Sequence, residues 1–278
     1  MTPPAALSGQ DRSFLAWVSR RRPMHIAARL EFSSARDLTL PELQALFAAQ
    51  VKNEPLLCCR LVAGRWEPAT DFAIERHVRQ TSEDADHVLA APLDRRRPLW
   101  EVWLAPRQGA EEGFALLIKI HHALIDGVGG IALLDRLLRP EPQHTPRSPT
   151  RSIDEGSRRR TRPRKRTLRE RGRELISALR FVLEHFRSFP PNPLNGDIGP
   201  HRRHTGFTID AARFDAVARS LGGTRNDLLL ATCAGALRRF LSEEATPTPA
   251  ALRAFCPVNL RPRSGAKGFG NRIAPWLV

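Results

Sequence analysis

Two adjacent histidines, His121 and His122, precede Asp126 and Gly127 in this chain. An imidazole with an unperturbed pKa of about 6.5 is largely neutral at physiological pH, so it can take the proton from an attacking hydroxyl group. A nearby carboxylate can fix the loop through a hydrogen bond or an ion pair, and a glycine permits tight backbone geometry or close approach of a substrate. The motif therefore predicts transfer of an acyl group to an alcohol.

The two histidines are expected to have different tasks. Neighbouring side chains on an extended backbone point to opposite sides, so one ring should face the reaction and the other the scaffold. Two other interpretations stay open: a pair of satisfied polar residues at a core edge, and a metal site that includes Asp126. Adjacent histidines rarely converge on one ion and the sequence has no further cluster of ligands, so we expect no metal.

The elements around the motif can be read from the apolar pattern. Residues 114–120 and 99–104 are apolar runs separated by turn-forming residues, which predicts a hairpin of two strands. Residues 128–138 have the pattern of a helix that ends before Pro140. The histidines thus lie in a turn that leads from a buried strand into a helix.

Alternation of apolar residues over 26–32 predicts another strand, and Thr39 and Glu42 have the spacing of a capping box at the start of a helix. Asp210 and Thr224 are predicted N-caps of two later helices, separated by Gly222-Gly223. Two more strands are expected at 254–260 and 274–278. The elements indicate two α+β layers.

The domain division follows from a shift in composition. Residues 1–139 are assigned to an N-terminal domain, and 140–167, rich in Pro, Ser and Arg, to a linker. Residues 168–278 are assigned to a second domain that opens with an amphipathic helix over 168–186. Packing of that helix on a core is favoured over contact with a lipid surface.

The formal charge of the 278 residues is +15, with ten Lys or Arg against one Glu between 157 and 173. Such a cluster attracts phosphate groups in nucleic acid, lipid headgroups or a cofactor, and it is also typical of a solvated linker. The chain has no tyrosine and 6% aromatic residues, so it offers few stacking platforms for bases and no nucleic-acid partner is expected. It has no apolar run long enough to span a membrane, no secretory signal and no C-x-x-C motif, so we expect a cytoplasmic protein.

Six further blocks accompany the histidine motif. They are Pro23-Met-His-Ile26, Pro98-Leu-Trp-Glu-Val-Trp103, the loop 194–203, Asn226-Asp-Leu-Leu-Leu-Ala231, Pro257-Val-Asn-Leu-Arg261 and Gly270-Asn-Arg-Ile273. In this order they resemble the bacterial wax ester synthase/diacylglycerol acyltransferase family of the CoA-dependent acyltransferase superfamily. The resemblance implies an α+β, chloramphenicol-acetyltransferase-like two-layer sandwich, with a complete N-terminal domain and a partial second domain.

The resemblance also implies the reaction and its residues. A long-chain acyl-CoA would be the co-substrate, with no permanently bound cofactor, and diacylglycerol or a fatty alcohol would be the acceptor. His122 would be the general base, and His121, Asp126 and Gly127 would shape the motif. The remaining site residues implied are Pro98, Leu99 and Trp100 as a wall of the acyl channel, Asn226 and Asp227 as support or polar donor near the reacting carbonyl, and Arg261 as partner of Asp126.

Peripheral contact with an anionic membrane or a lipid-droplet surface through basic residues is expected in addition. Members of the family continue past the Gly270-Asn-Arg block, so part of the second domain is expected to be missing here. Two alternatives therefore stay open: an inactive remnant of such an enzyme, and an amide-forming domain of the condensation type.

Overall fold

Four strands form the central sheet, and one of them ends at His121. The computed structural model describes residues 7–19, 21–34, 36–107, 112–138, 194, 196–244, 251–260 and 271–278, without the side chains of 275–277. The predicted linker 140–167 and the amphipathic helix expected over 168–186 lie outside the described residues.

The N-terminal part alternates short helices with strands. In chain order the elements are α1 (Gly9–Ala16), β1 (His25–Ser33), α2 (Leu40–Val51), β2 (Cys59–Val62), β3 (Arg65–Pro68), β4 (Val78–Gln80), α3 (Ala85–Ala90), β5 (Trp100–Pro106), β6 (Gly113–His121) and α4 (Gly127–Leu137). The predictions of a strand over 26–32, a helix after Thr39 and a strand–turn–helix around the histidines are confirmed.

The later part contains four described elements. They are α5 (Ala211–Ser220), α6 (Arg225–Glu243), β7 (Phe255–Asn259) and β8 (Ile273–Leu277). Asp210 and Thr224 accept backbone N–H groups as N-caps of the two helices, and Gly222 ends the first of them with φ +70°. The sequence predictions for these helices and strands are confirmed.

The central sheet has the strand order β1-β6-β5-β4. β6 pairs antiparallel with β1, which places His25 opposite His121, and antiparallel with β5, as the hairpin prediction required. Gly113, the first residue of β6, has φ +144°, and a Cβ built there would lie 2.0 Å from the Phe32 carbonyl oxygen. Glycine is thus required where the β1–β6 pairing begins.

The two faces of this sheet differ in chemistry. One face packs into the main apolar core, which includes Leu43 and Phe47 of α2 and Leu133 of α4. The opposite face buries a basic side chain, that of Lys119, which is 1% exposed. Its ammonium lies 3.0 Å from the Glu101 carboxylate and donates to the Ala91 carbonyl at 2.9 Å. A buried ammonium is tolerated where such partners replace water, although burial lowers the pKa of Lys119.

By its internal contacts the chain divides into two compact units. The sequence assigned 168–278 to one domain, but residues 198–204, 258–260 and 271–274 belong to the first unit, with the N-terminal elements. Long-range hydrogen bonds explain the return: the Arg202 guanidinium donates to the Arg21 carbonyl, and the backbone N–H of His204 donates to Asp86 at 3.0 Å. Composition cannot reveal such contacts.

None of the helices in the described ranges has the length and apolarity to cross a membrane.

Candidate active site

His121 is the last residue of β6, and both its backbone and its ring make hydrogen bonds. Its backbone N–H donates to the Leu99 carbonyl at 2.9 Å, and its Nδ1 accepts the backbone N–H of Ala123 at 3.0 Å. The ring is 3% exposed, and burial, with the positive charge of Arg95 next in importance, lowers the pKa of His121 to about 4. His121 is therefore neutral at physiological pH, with its proton on Nε2.

The Nε2 atom of His121 is buried and has no hydrogen-bond partner in the part of the chain that the structure describes. The residue borders a cavity of about 170 Å³. The other lining residues are Val18, Ser19, Pro23, Pro92, Leu93 and Arg95. This largely apolar surround explains why protonation of the ring is unfavourable.

His122 begins the turn and is half-buried. Its ring stacks on Phe14 of α1, with centroids 4.0 Å apart and planes inclined by 18°. Its backbone N–H donates to the carbonyl of Met24, a residue with φ +53°, at 2.9 Å. Its Nδ1 lies 2.9 Å from Asn271 Oδ1, so in the neutral ring Nδ1 donates and the lone pair is on Nε2. The two histidines thus have opposite tautomers.

Asn271 and Asp11 complete the surroundings of His122, and neither was identified from the sequence. The Asn271 Nδ2 donates to Asp11 Oδ1 and to the His122 carbonyl, both at 2.7 Å. Two signals were available: Asn271 lies inside the Gly270–Ile273 block, and Ser8 and Asp11 have capping-box spacing. No local pattern pairs residues so far apart along the chain.

Asp126 is 1% exposed and joins two segments. One carboxylate oxygen accepts the Gly129 N–H at 2.9 Å as the N-cap of α4, and the other accepts the Arg272 N–H at 3.0 Å. It therefore fixes the start of α4 against the residue that follows Asn271. The expected partner Arg261 lies outside the described residues.

Gly127 does not have the tight backbone geometry that the sequence suggested. It is the first residue of α4, its φ is not positive, and a Cβ added there would meet no atom within 4 Å. That part of the prediction is wrong, because a helical start accepts most residues. Close approach of a substrate to the exposed Gly127 stays a prediction.

Pro98, Leu99 and Trp100 are buried in the fold. Trp100 is 2% exposed, donates from Nε1 to the Leu57 carbonyl at 2.7 Å, and stacks on His77 and Phe47. These contacts hold the segment in the core. Its expected role as a wall of the acyl channel stays a prediction. Its link to the motif is the hydrogen bond from His121 to Leu99.

Asn226 and Asp227 belong to the second unit, in the first turn of α6. The Asp227 carboxylate accepts the backbone N–H of Thr224 at 2.8 Å and its hydroxyl at 2.7 Å, closing a capping box. The side chain of Asn226 is exposed. Their role near a reacting carbonyl stays a prediction. In the described ranges, no three His, Cys, Asp or Glu side chains are grouped as metal ligands would be.

Asp126→Asn is expected to keep the helix cap but lose the link to Arg272. Asparagine caps helices as well as aspartate, so its single oxygen can still accept the Gly129 N–H. Its NH₂ group would then face the Arg272 N–H, and both of these groups are donors. We expect the free energy of unfolding to fall by about 1–3 kcal/mol. The acyl transfer that the motif predicts should fall with it, because the support of Asn271 moves. Urea unfolding and initial rates measure the two effects.

Asp126→Ala is the comparison variant, because it removes the cap as well, and it should lower stability by about 1 kcal/mol more. Stable folding of Asp126→Asn with a full rate of the acyl transfer that the motif predicts would contradict the orienting role of this carboxylate.

Solved structures share the fold of this chain. A condensation domain of the enacyloxin polyketide synthase matches with a TM-score of 0.51 and 16% identity, over 100% of this chain and 58% of that one. The wax ester synthase/diacylglycerol acyltransferase of Marinobacter aquaeolei VT8 matches with a TM-score of 0.61 and 25% identity, over 92% of this chain and 64% of that one. The predicted α+β, chloramphenicol-acetyltransferase-like class is confirmed.

The family follows from the sequence comparison. Residues 7–229 match the wax ester synthase/diacylglycerol acyltransferase catalytic domain, so the chain belongs to this family. A Mycobacterium tuberculosis protein named as a diacylglycerol O-acyltransferase is 29% identical over 98% of this chain. The present chain spans 61% of the length of that relative.

Proposed function

We propose that this chain transfers a long-chain acyl group from acyl-CoA to the hydroxyl group of diacylglycerol or of a fatty alcohol. The observation that carries the proposal is the 2.9 Å contact between His122 Nδ1 and Asn271 Oδ1, which leaves the lone pair on Nε2. Family membership supports the choice of substrates, because matched relatives are named as diacylglycerol O-acyltransferases and wax ester synthases.

The proposed reaction needs one base and no covalent enzyme intermediate. His122 Nε2 takes the hydroxyl proton as the alcohol oxygen attacks the thioester carbonyl carbon. The carbon–sulfur bond of the tetrahedral intermediate then breaks, and the proton passes from the imidazolium to the leaving thiolate. The products are an ester and free CoA, and both substrates must be bound together.

The neighbouring groups have supporting tasks in this proposal. Phe14 covers one face of the His122 ring, and Asn271 holds its Nδ1, so the ring has little freedom to turn away. Asp126 ties α4 to the backbone of Arg272. His121 stays neutral and anchors the end of β6 through Leu99 and Ala123.

The assay uses the purified 278-residue chain with radiolabelled palmitoyl-CoA and three acceptors: dioleoylglycerol, hexadecanol and hexadecylamine. We expect labelled triacylglycerol or wax ester, and its loss in His122→Ala. Labelled amide without ester would support the condensation-type alternative. Absence of product with all three acceptors would overturn activity of this chain and favour the inactive remnant.

We also propose that basic residues hold the protein at an anionic lipid surface in the cytoplasm. The formal charge of +15 supports this, because clustered Lys and Arg are attracted to anionic headgroups by about 1 kcal/mol each. Flotation with phosphatidylglycerol vesicles should exceed that with phosphatidylcholine vesicles and weaken with salt. Equal flotation with both vesicles, or preference for added duplex DNA, would contradict the proposal.

A further inference from the structure

We propose that Asp11 and Asn271 are positioning residues that select the reactive tautomer of His122 through a relay of hydrogen bonds. The relay runs from the Asp11 carboxylate through the Asn271 amide to the ring of His122. This inference deepens the proposed function and rests on His122 as the base. It extends the site to α1, a helix that the sequence motifs do not include.

The hydrogen-bond partners of Asn271 show which end of its amide faces His122 Nδ1. The end of the Asn271 amide that contacts Asp11 Oδ1 and the His122 carbonyl must be the NH₂ group, because both partners are acceptors. The other end is then the carbonyl oxygen, which only accepts. His122 Nδ1, 2.9 Å from that oxygen, must therefore carry the ring proton. One orientation of one amide thus fixes the lone pair on Nε2.

The first member of the relay is itself fixed. Asp11 is 6% exposed, and its second oxygen, Oδ2, accepts the backbone N–H of Ser8 at 2.9 Å in the capping box of α1. Asp11 and Phe14 are three residues apart, so they lie on the same face of α1. One helix therefore both covers the His122 ring and orients the amide that holds it.

Asp11→Asn tests the relay because it changes one atom without touching His122. The new amide at position 11 can keep its oxygen on the Ser8 N–H, which directs its NH₂ group at the NH₂ group of Asn271. The Asn271 amide then has a donor at position 11 and an acceptor in the His122 carbonyl, so neither orientation satisfies both neighbours. In a share of the molecules the amide turns, and its NH₂ group faces His122 Nδ1. We expect the His122 population to shift toward the tautomer with the proton on Nε2.

Asn271→Leu removes the relay at its centre and should give a mixture of both tautomers. The double variant Asp11→Asn with Asn271→Asp restores a donor at position 11 and an acceptor at 271 that can hold the Nδ1 proton. It should return His122 toward its original tautomer. Gln10→Ala is the matched control, because it removes the α1 contact with the Ile273 carbonyl at 3.1 Å and leaves the relay intact.

The tautomer is measured by NMR of protein with ¹⁵N-labelled histidine rings at about pH 8. The His122 signal is assigned by its absence in His122→Asn. In the assay, Asp11→Asn should lower kcat about tenfold with little change in KM, because a smaller fraction of molecules has the reactive tautomer.

Retention of the Nδ1–H tautomer in both Asp11→Asn and Asn271→Leu would overturn the proposal, as would an equal shift in Gln10→Ala. A fall in kcat without a tautomer shift would also overturn it, since that result indicates a purely structural role. The NMR measurement needs no substrate. Failure of the relay is therefore distinguishable from failure of the proposed function, which the assay shows as absence of ester.

Discussion

Replacing His122 by alanine is expected to lower kcat by about 10²- to 10⁴-fold, the usual contribution of a positioned general base. Without the Nε2 lone pair, the attacking hydroxyl must give its proton to water as the carbon–oxygen bond forms. The KM values should change little, because no group that binds substrate before the transition state is removed. Initial rates at varied donor and acceptor concentrations measure both parameters.

His122→Asn is the sharper version of the same experiment. The NH₂ group of the new side chain can still donate to Asn271 Oδ1 as Nδ1 does, so the hydrogen bond of the turn is kept while the base is removed. Alanine leaves that oxygen unpaired and should also reduce stability by about 1 kcal/mol. We expect the two variants to lose activity equally and to differ in thermal stability. Near-normal kcat in His122→Asn would rule out His122 as the base.

Acidification from pH 6.5 to pH 4 is expected to destabilise the protein by about 3 kcal/mol through His121 alone, because burial lowers the pKa of His121 from 6.5 to about 4. Between these values the unfolded chain binds a proton at this residue and the folded chain does not. The contribution is therefore fully present above pH 6.5 and is lost as the pH falls toward 4. Burial lowers the pKa values of His25 and His77 as well, which acts in the same direction.

His121→Asn isolates the contribution of His121 to acid destabilisation. The amide oxygen of the new side chain can still accept the Ala123 N–H, and the amide does not titrate. Urea unfolding followed by tryptophan fluorescence at several pH values gives the free energy of unfolding for each protein. Between about pH 7.5 and 4, wild type should lose about 3 kcal/mol more than the variant. His201→Asn is the control, because this residue is exposed and its replacement should leave the wild-type curve unchanged. Parallel curves for wild type and His121→Asn would show that burial of His121 does not affect acid stability.

The sequence predicted most of the secondary structure correctly because those signals are local. Thr39 and Glu42 close the capping box that their spacing indicates, and Asp210 and Thr224 cap the helices that follow them. β5 and β6 pair antiparallel because two apolar runs are separated in the sequence by a few polar and glycine residues. In such cases the deciding residues are within a few positions of one another.

Other features of the structure could not be predicted, for a common reason. The surroundings of Trp100 in the core are made by Leu57, Phe47 and His77, which are all distant from it in the chain. Likewise, the change in composition at the linker does not show that later segments group with the N-terminal unit. Composition and periodicity describe neighbours along the chain, so they do not identify which distant segment supplies a partner.

By itself, the sequence determined which residues form the motif and predicted its chemistry, because two histidines, an aspartate and a glycine between a strand and a helix suit few other tasks. The tautomer of His121 follows from a local contact with Ala123. Only the tertiary structure decided how His122 is held, because Asn271, oriented by Asp11, fixes its tautomer. The physical reason is that a tautomer depends on the hydrogen-bond partner of one ring nitrogen. For His122 that partner is 149 residues away in the chain.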